Sequence, residues 1–297
     1  MQLNVPAESN PVRRSSWEAR VAVITVLTFG AALSAVLLFS LLAHTPRFQL
    51  STTATTLPPG HGPSYPVGVV DHHEPSGVAP PGSNALKGYV LTYSSDFAGS
   101  TLPPGWDVFT GVPGGDPSGQ FGAEHVVVHN GLLRLNAWRD PAYGLRWVTG
   151  GLCHCGHPQT YGAFFVRSRI TGAGPNESQL LWPANNTWPP EIDFNETGAK
   201  DTSTSWTVHW GVLDNIAQQT LATRVTQWHT WGVVWTPTKI MFVIDGRQWG
   251  LLDVHDAVPH LPMTLDLQQR TGCAPGFSCP VSAQSMLVDW VAEYQHI

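Results

Sequence analysis

Three carboxylates crowd into six residues at Glu191-Ile192-Asp193-Phe194-Asn195-Glu196, in a chain where only 12% of residues are charged. On a strand, positions i and i+2 share a face, so Glu191 and Asp193 point the same way. Glu196 has the opposite parity, and one extra residue, as in a β-bulge, brings it round to join them. Carboxyls gathered in this way suit hydrolysis of a glycosidic bond. One attacks the anomeric carbon, while a second, about 5–5.5 Å away, protonates the leaving oxygen and later deprotonates water. Mutual repulsion keeps one of the pair protonated near neutral pH. Asp193, between them, can share a proton with the nucleophile or orient it. The same triplet also suits a metal site or a solvated acidic edge, and spacing alone does not choose.

Sugar rings present apolar C–H faces that stack on aromatic rings, and hydroxyls that need polar partners. Trp182 and Trp188 flank a Pro/Asn-rich loop just ahead of the acidic run and are candidate sugar platforms. Trp147 is a further candidate, whereas Trp231, Trp235 and Trp290 sit in apolar runs and belong to a core. His209 differs in parity from Trp206 and Trp210, so it faces the other side of its strand. His209 and Gln268 are candidate substrate contacts, with Arg146 a weaker one.

The elements that must carry these groups read as strands. With 29 Gly and 25 Pro in 297 residues, a coiled coil or helical bundle is excluded and many turns are expected. Short apolar or alternating runs cover 125–138, 162–170, 206–213, 229–236, 239–252 and 285–295. Asn130-Gly131 and Asp245-Gly246 are hairpin signals inside two of them. This pattern predicts an all-β sandwich of two antiparallel sheets.

Ahead of it, residues 21–43 are uncharged and free of Pro, long enough to cross a bilayer as a transmembrane signal anchor. A cleaved signal peptide, which would release the rest, is the rival reading. Arg13, Arg14 and Arg20 precede the span, which places residues 1–20 in the cytoplasm and the remainder outside the cell membrane. Residues 44–88, rich in Pro, Gly, Ser and Thr, read as an extended tether. His61, His72 and His73 in it read as solvated side chains. The domain expected to do chemistry is 89–297, as a monomer. A formal net charge of −6 excludes a nucleic-acid role and weighs against a strongly anionic substrate. Outside a membrane disulfides persist. Cys273–Cys279 would close a short Gly/Pro loop and is the favoured pair. Cys153 and Cys155 are too close in sequence for a relaxed bridge if that stretch is extended. Sequence does not choose among the three possible pairings. Cys153, His154, Cys155 and His157 also allow a zinc reading, although their spacing is tighter than usual.

The Glu-Ile-Asp-Phe-Asn-Glu run resembles the E-x-D-x-x-E signature of glycoside hydrolase family 16, in its bulged, laminarinase-like branch. Tyr161 to Arg167, Trp228 to Trp231, Val234 to Pro237, Phe242 to Gly246 and Met286 to Val291 are similar to further stretches of that family, in the same order. The resemblance implies a concanavalin-like jelly roll with a sugar cleft. It implies Glu191 as nucleophile, Asp193 as assisting acid and Glu196 as acid/base. It implies a retaining endo-hydrolase acting on β-1,3- or mixed β-1,3/1,4-glucan, with no cofactor needed for the chemistry. A transglycosylase of an envelope polysaccharide and a non-catalytic glycan-binding module are the alternatives. Relatives of this kind carry a structural calcium, and Asp289 matches a position often involved. The sequence departs from the family at Phe165, where Glu is common, and at Cys153-His154-Cys155-Gly156-His157.

Overall fold

The computed structural model describes residues 48–54, 64–198, 200–271, 280 and 282–297. The expected anchor at 21–43 and the Cys273–Cys279 pair lie outside them. Among the described residues, no helix is long and apolar enough to cross a membrane.

Two-residue turns set the hairpins where the sequence places them. Asn130 and Gly131 have φ of 53° and 69°, and Asp245 and Gly246 have 48° and 75°. Left-handed conformations at both central positions match the twist of the flanking strands. Strands Val126–His129 and Leu132–Asp140 flank the first turn, Ile240–Ile244 and Arg247–Leu252 the second. The run read as 206–213 stops earlier, as Ser203–Trp210, because the chain turns at Gly211 (φ 70°) and Asp214 (φ 52°).

These strands stack as a jelly-roll-like sandwich. The eight-stranded sheet runs in the order Gln49–Ala54, Asn215–Ala222, Ser203–Trp210, Glu191–Thr197, Asn176–Pro183, Met263–Arg270, Gly151–Cys153 and Asp107–Val108. Its pairings are antiparallel except at one edge, where Gln49–Ala54 joins in parallel to Asn215–Ala222. The nine-stranded sheet is centred on His229–Trp235, Gly162–Ile170 and Gln284–His296. Between the sheets lie Phe164, Val166, Trp231, Val233 and Trp235 from one side, and Ile192, Phe194, Trp206, Val208, Leu265 and Leu267 from the other. Trp206 stacks on Phe242, with ring centroids 4.4 Å apart.

Strand alternation also leaves an apolar outer face on the nine-stranded sheet, with Phe165, Val234, Trp290, Ala292 and Tyr294 buried there. Part of the segment read as a tether covers it. Tyr65 and Leu86 pack on this face. Trp290 Nε1 donates to the Val78 carbonyl at 2.9 Å, and the Tyr294 hydroxyl to Gly82 at 3.0 Å. Residues 64–88 therefore belong to the folded unit, and Phe165 is apolar because it sits under this cover.

Burying a side chain of the size of Trp290 or Tyr294 contributes about 1.5–3 kcal/mol. A chain cut to begin at Tyr89 is expected to melt about 10 °C below one that begins at Ser64. Equal melting temperatures in a thermal scan would show that the cover adds no stability.

Among the ionisable groups buried in the sandwich is Glu177. Burial pushes the Glu177 carboxyl up to about 7, against hydrogen bonds from Gln179, Ser168 and Asn195 that favour its charged form. Its ordinary value is 4.5, so between these values the folded chain holds a proton that the unfolded chain has released. Stability is then full below about pH 4.5 and falls by about 3 kcal/mol as pH rises to 7. Glu177→Gln, which cannot ionise, is expected to gain on the wild type by about that amount between pH 4 and pH 8. A stability difference that does not change between those two pH values would contradict this.

Candidate active site

Cross-strand partners share a face, so the ladder registers assemble the site row by row. The strand Glu191–Thr197 pairs with Ser203–Trp210 as Glu191 with His209, Asp193 with Thr207, then Glu196 with Ser205. Two residues, Phe194 and Asn195, thus oppose the single Trp206. The register with Asn176–Pro183 slips by one at the same place. This is the bulge that the parity of the three acids demands. Glu191, Asp193 and Glu196 all line one cleft of about 580 Å³, while Ile192 and Phe194 enter the core.

From Asp193 the same row continues through Leu180, Asp266 and Cys153 to Asp107. From Glu196 it continues through Ser178 and Gln268 to Gly151. Each step is about 4.8 Å. The cleft therefore crosses the strands. Trp182 pairs with Thr264 and so lies toward Asp266, while Trp188 and His209 lie on one side of the acids. Asp266, Gln268, Arg270, Cys153, Cys155 and Phe109 line the other.

Each acid is held differently. Trp188 Nε1 donates to Glu191 Oε2 at 2.7 Å. The Thr207 hydroxyl donates to Glu196 Oε2 at 3.2 Å and is itself fixed by Gln218 Nε2 at 3.0 Å. Any proton on Glu196 is thus left for Oε1. Burial pushes the Asp193 carboxyl well above its usual range, and the charges of Glu191 and Glu196 push it further, with Arg270 opposing. Burial and then the Glu191 charge also raise Glu196, against the Thr207 hydrogen bond, His209 and Arg270. His209 Nδ1 lies 2.7 Å from Asp214 Oδ1, which orients the ring toward the cleft. Glu191 and Glu196 are thus both half-buried, one with an oxygen anchored by Trp188 and the other with its proton affinity raised, and the buried Asp193 stands between them.

Of the candidate contacts, Trp182, Trp188, His209 and Gln268 line the cleft. Trp147 does not. It is buried in the strand Arg146–Thr149 of the nine-stranded sheet, with the Arg139 guanidinium 5.7 Å from its ring. Arg146 reaches the carbonyls of Pro117 and Gly119 instead. Sequence reasoning missed Asp266 and Arg270, although both stand at i±2 from Gln268 and so share its face. Burial and the Glu191 charge raise Asp266, against a hydrogen bond from Thr264.

The residues of the two metal readings are placed as follows in the fold. His154 and His157 stack with rings 7° from parallel and centroids 4.6 Å apart. Their ligand atoms and a Glu293 oxygen lie within 4.8 Å of one another. Parallel rings do not aim their in-plane lone pairs at one point, however, and His154 Nδ1 already lies 2.7 Å from Glu293 Oε1. At Asp289, Oδ2 accepts the Ser76 N–H at 3.1 Å and Arg167 offsets the charge, which leaves only the buried Oδ1 without a partner. Among the described residues no group of three His, Cys, Asp or Glu side chains closes around Asp289, although the Asp96 charge acts on its carboxyl. Cys153 and Cys155 contradict the expected spacing limit. They form a close pair, with Cα atoms 5.0 Å apart, inside the range a bridge requires.

A two-sheet jelly roll whose cleft carries three carboxyls on one bulged strand defines a glycoside hydrolase. The match to the glycosyl hydrolases family 16 model covers residues 118–291, and the chain belongs to that family. It is 31% identical over 145 residues to the endo-1,3-1,4-beta-glycanase EglC of Rhizobium meliloti, covering 46% of this chain and 30% of the relative. To ExsH, an endo-1,3-1,4-beta-glycanase of the same organism, it is 27% identical over 183 residues, covering 56% and 39%. The chain thus spans less than half the length of these relatives. The laminarinase of Rhodothermus marinus has the same fold, with TM-score 0.63 and 23% identity over 70% of this chain and 98% of that one. The laminarinase catalytic domain from Thermotoga petrophila matches with TM-score 0.62 and 20% identity, over 70% and 98%.

Because the Glu191 charge helps to raise Glu196 and Asp193, Glu191→Gln is expected to lower both values. Carboxyl-carbon NMR titration of the variant against the wild type measures this. Unchanged titration of both groups would show that the acids are not coupled.

Proposed function

We propose that the protein is a retaining, endo-acting hydrolase of β-1,3- or mixed β-1,3/1,4-glucan. The observation that carries this reading is the bulge, which brings Glu191 and Glu196 to one cleft face, where burial and the Glu191 charge raise the Glu196 carboxyl. Glu191 attacks the anomeric carbon as a carboxylate. The bond to the leaving sugar breaks, and its oxygen takes the proton held by Glu196. The glycosyl ester so formed has no charge at Glu191, so the electrostatic support for a proton on Glu196 is gone. Glu196 then removes a proton from water, whose oxygen attacks the same carbon. The ester bond breaks and Glu191 recovers its charge. Asp193, protonated between two acids, orients Glu191 and keeps repulsion within the trio low. Trp182 and Trp188 offer stacking faces, with Trp188 on one side of the acids. Gln268 and Asp266 offer hydroxyl partners on the other.

The glucan preference rests on the similarity to endo-1,3-1,4-beta-glycanases. Residues 21–43 fit a membrane anchor that presents a monomeric domain outside the cell, or a signal that releases it.

The full chain, solubilised in detergent, is to be tested on laminarin and barley β-glucan, with Glu191→Gln as control. New reducing ends with the β-configuration in the first minutes, seen by proton NMR, are expected. Loss of at least about 10⁴-fold is expected in the variant. An α-configured first product would overturn retention. Products longer than the substrate would favour transfer over hydrolysis. Glucan binding without turnover would leave a binding module.

A further inference from the structure

On the inward side of the bulged strand lies a group of polar side chains that the chemistry does not use. Glu177, Gln179, Ser168, Asn195 and Thr204 are all buried. Asn195 sits in the bulge, between Asp193 and Glu196. It still pairs with Gln179 on one side, but toward Ser203–Trp210 it has no ladder partner, so on that side its conformation must be set by something else. Here the amide of Asn195 is used at both ends. Its Nδ2 donates to Glu177 Oε1 at 3.1 Å, and its Oδ1 accepts from the Thr204 hydroxyl at 2.6 Å. Glu177 Oε1 also accepts from the Ser168 hydroxyl at 3.1 Å and from Gln179 Nε2 at 2.5 Å. Glu177 and Thr204 belong to the strands on either side of the bulge, and Ser168 to the opposite sheet. The Glu177 backbone N–H adds a bond at 2.8 Å to the Thr197 hydroxyl, on the bulged strand itself. Three donors thus converge on one carboxylate oxygen, and one of them is the side chain that defines the bulge.

We propose that Glu177 is a positioning residue for Glu196: by gripping Asn195 it fixes the bulge, and so the face on which Glu196 emerges. This rests on the reading of Glu196 as acid/base. If Glu177 lets go, Asn195 loses its anchor on one side. The strand can then relax toward regular alternation, which turns Glu196 away from the cleft and leaves Glu191 in place.

A misplaced acid harms substrates with poor leaving groups and spares those that need no protonation. The full chain is assayed on laminarin and, in the first turnover, on a dinitrophenyl β-laminaribioside. Glu177→Met, similar in length but without the acceptor, is expected to lower kcat on laminarin by at least about tenfold, with KM within about twofold. The first-turnover aryl burst should stay within about threefold of the wild type. Glu177→Gln, which keeps an acceptor oxygen, should restore kcat to within about threefold. Asn195→Ala should repeat the Glu177→Met pattern, and it carries the test if circular dichroism shows Glu177→Met unfolded. Equal losses on both substrates, a change in KM alone, or no loss would each overturn the proposal. A wild-type chain that turns over neither substrate would instead overturn the glycosidase reading.

Discussion

A strand alternates its side chains with a period of two, so no regular strand can put Glu191, Asp193 and Glu196 on one face. The chain resolves this by spending two residues, Phe194 and Asn195, against one residue of its neighbour. Both neighbouring ladders slip at the same place, which makes the bulge a property of the Glu191–Thr197 strand and not of one pairing. The two residues that accomplish this are themselves committed inward. Phe194 is in the apolar core, and Asn195 is in the polar group around Glu177. The cleft face is therefore as well determined as the packing beneath it.

Once the acids share a face, their different environments divide the labour. Glu191 is the least enclosed of the three, and the Trp188 indole fixes one of its oxygens. Asp193 and Glu196 are enclosed, and burial is the largest influence on each. A chain with few charges favours this arrangement, because little nearby cation is available to stabilise a second or third carboxylate. Arg270 is the cation that acts on both groups, and its side chain is also tied to the Gly114 carbonyl at 2.5 Å. The proton that general acid catalysis requires is thus retained by desolvation and repulsion together.

Much of this was legible from residue types alone. The hairpins at Asn130-Gly131 and Asp245-Gly246, the strand Gly162–Ile170 and the need for a bulge all follow from local rules, because turn chemistry and alternation act within a few residues. What local rules do not carry is which strand lies beside which. Asp266 joins the row of Asp193 only through Leu180, on a strand more than 70 residues earlier in the chain. Trp147 was misassigned for the same reason, since an aromatic residue's sheet is a matter of topology. The segment 64–88 read as a tether because its own pattern is irregular. Its apolar partners, Trp290 and Tyr294, lie at the other end of the chain.

The stretch Cys153-His154-Cys155 shows how far alternation reaches once the sheet is known. Cys153 shares its face with Asp266, so it belongs to the cleft row, and Cys155 lines the same cleft. His154, one residue out of step, must point inward. There its Nδ1 lies 2.7 Å from Glu293 Oε1, with both side chains fully buried. Glu293 stands on Gln284–His296 in the opposite sheet, so this contact ties the cleft's wall across the sandwich. Trp106 stacks on the His154 ring, with centroids 4.7 Å apart, and closes the pocket around it. The two cysteines thus line the cleft, while His154 turns inward with His157 stacked on it. The sulfurs shape the surface where substrate would lie, and the imidazole of His154 holds that surface to the core.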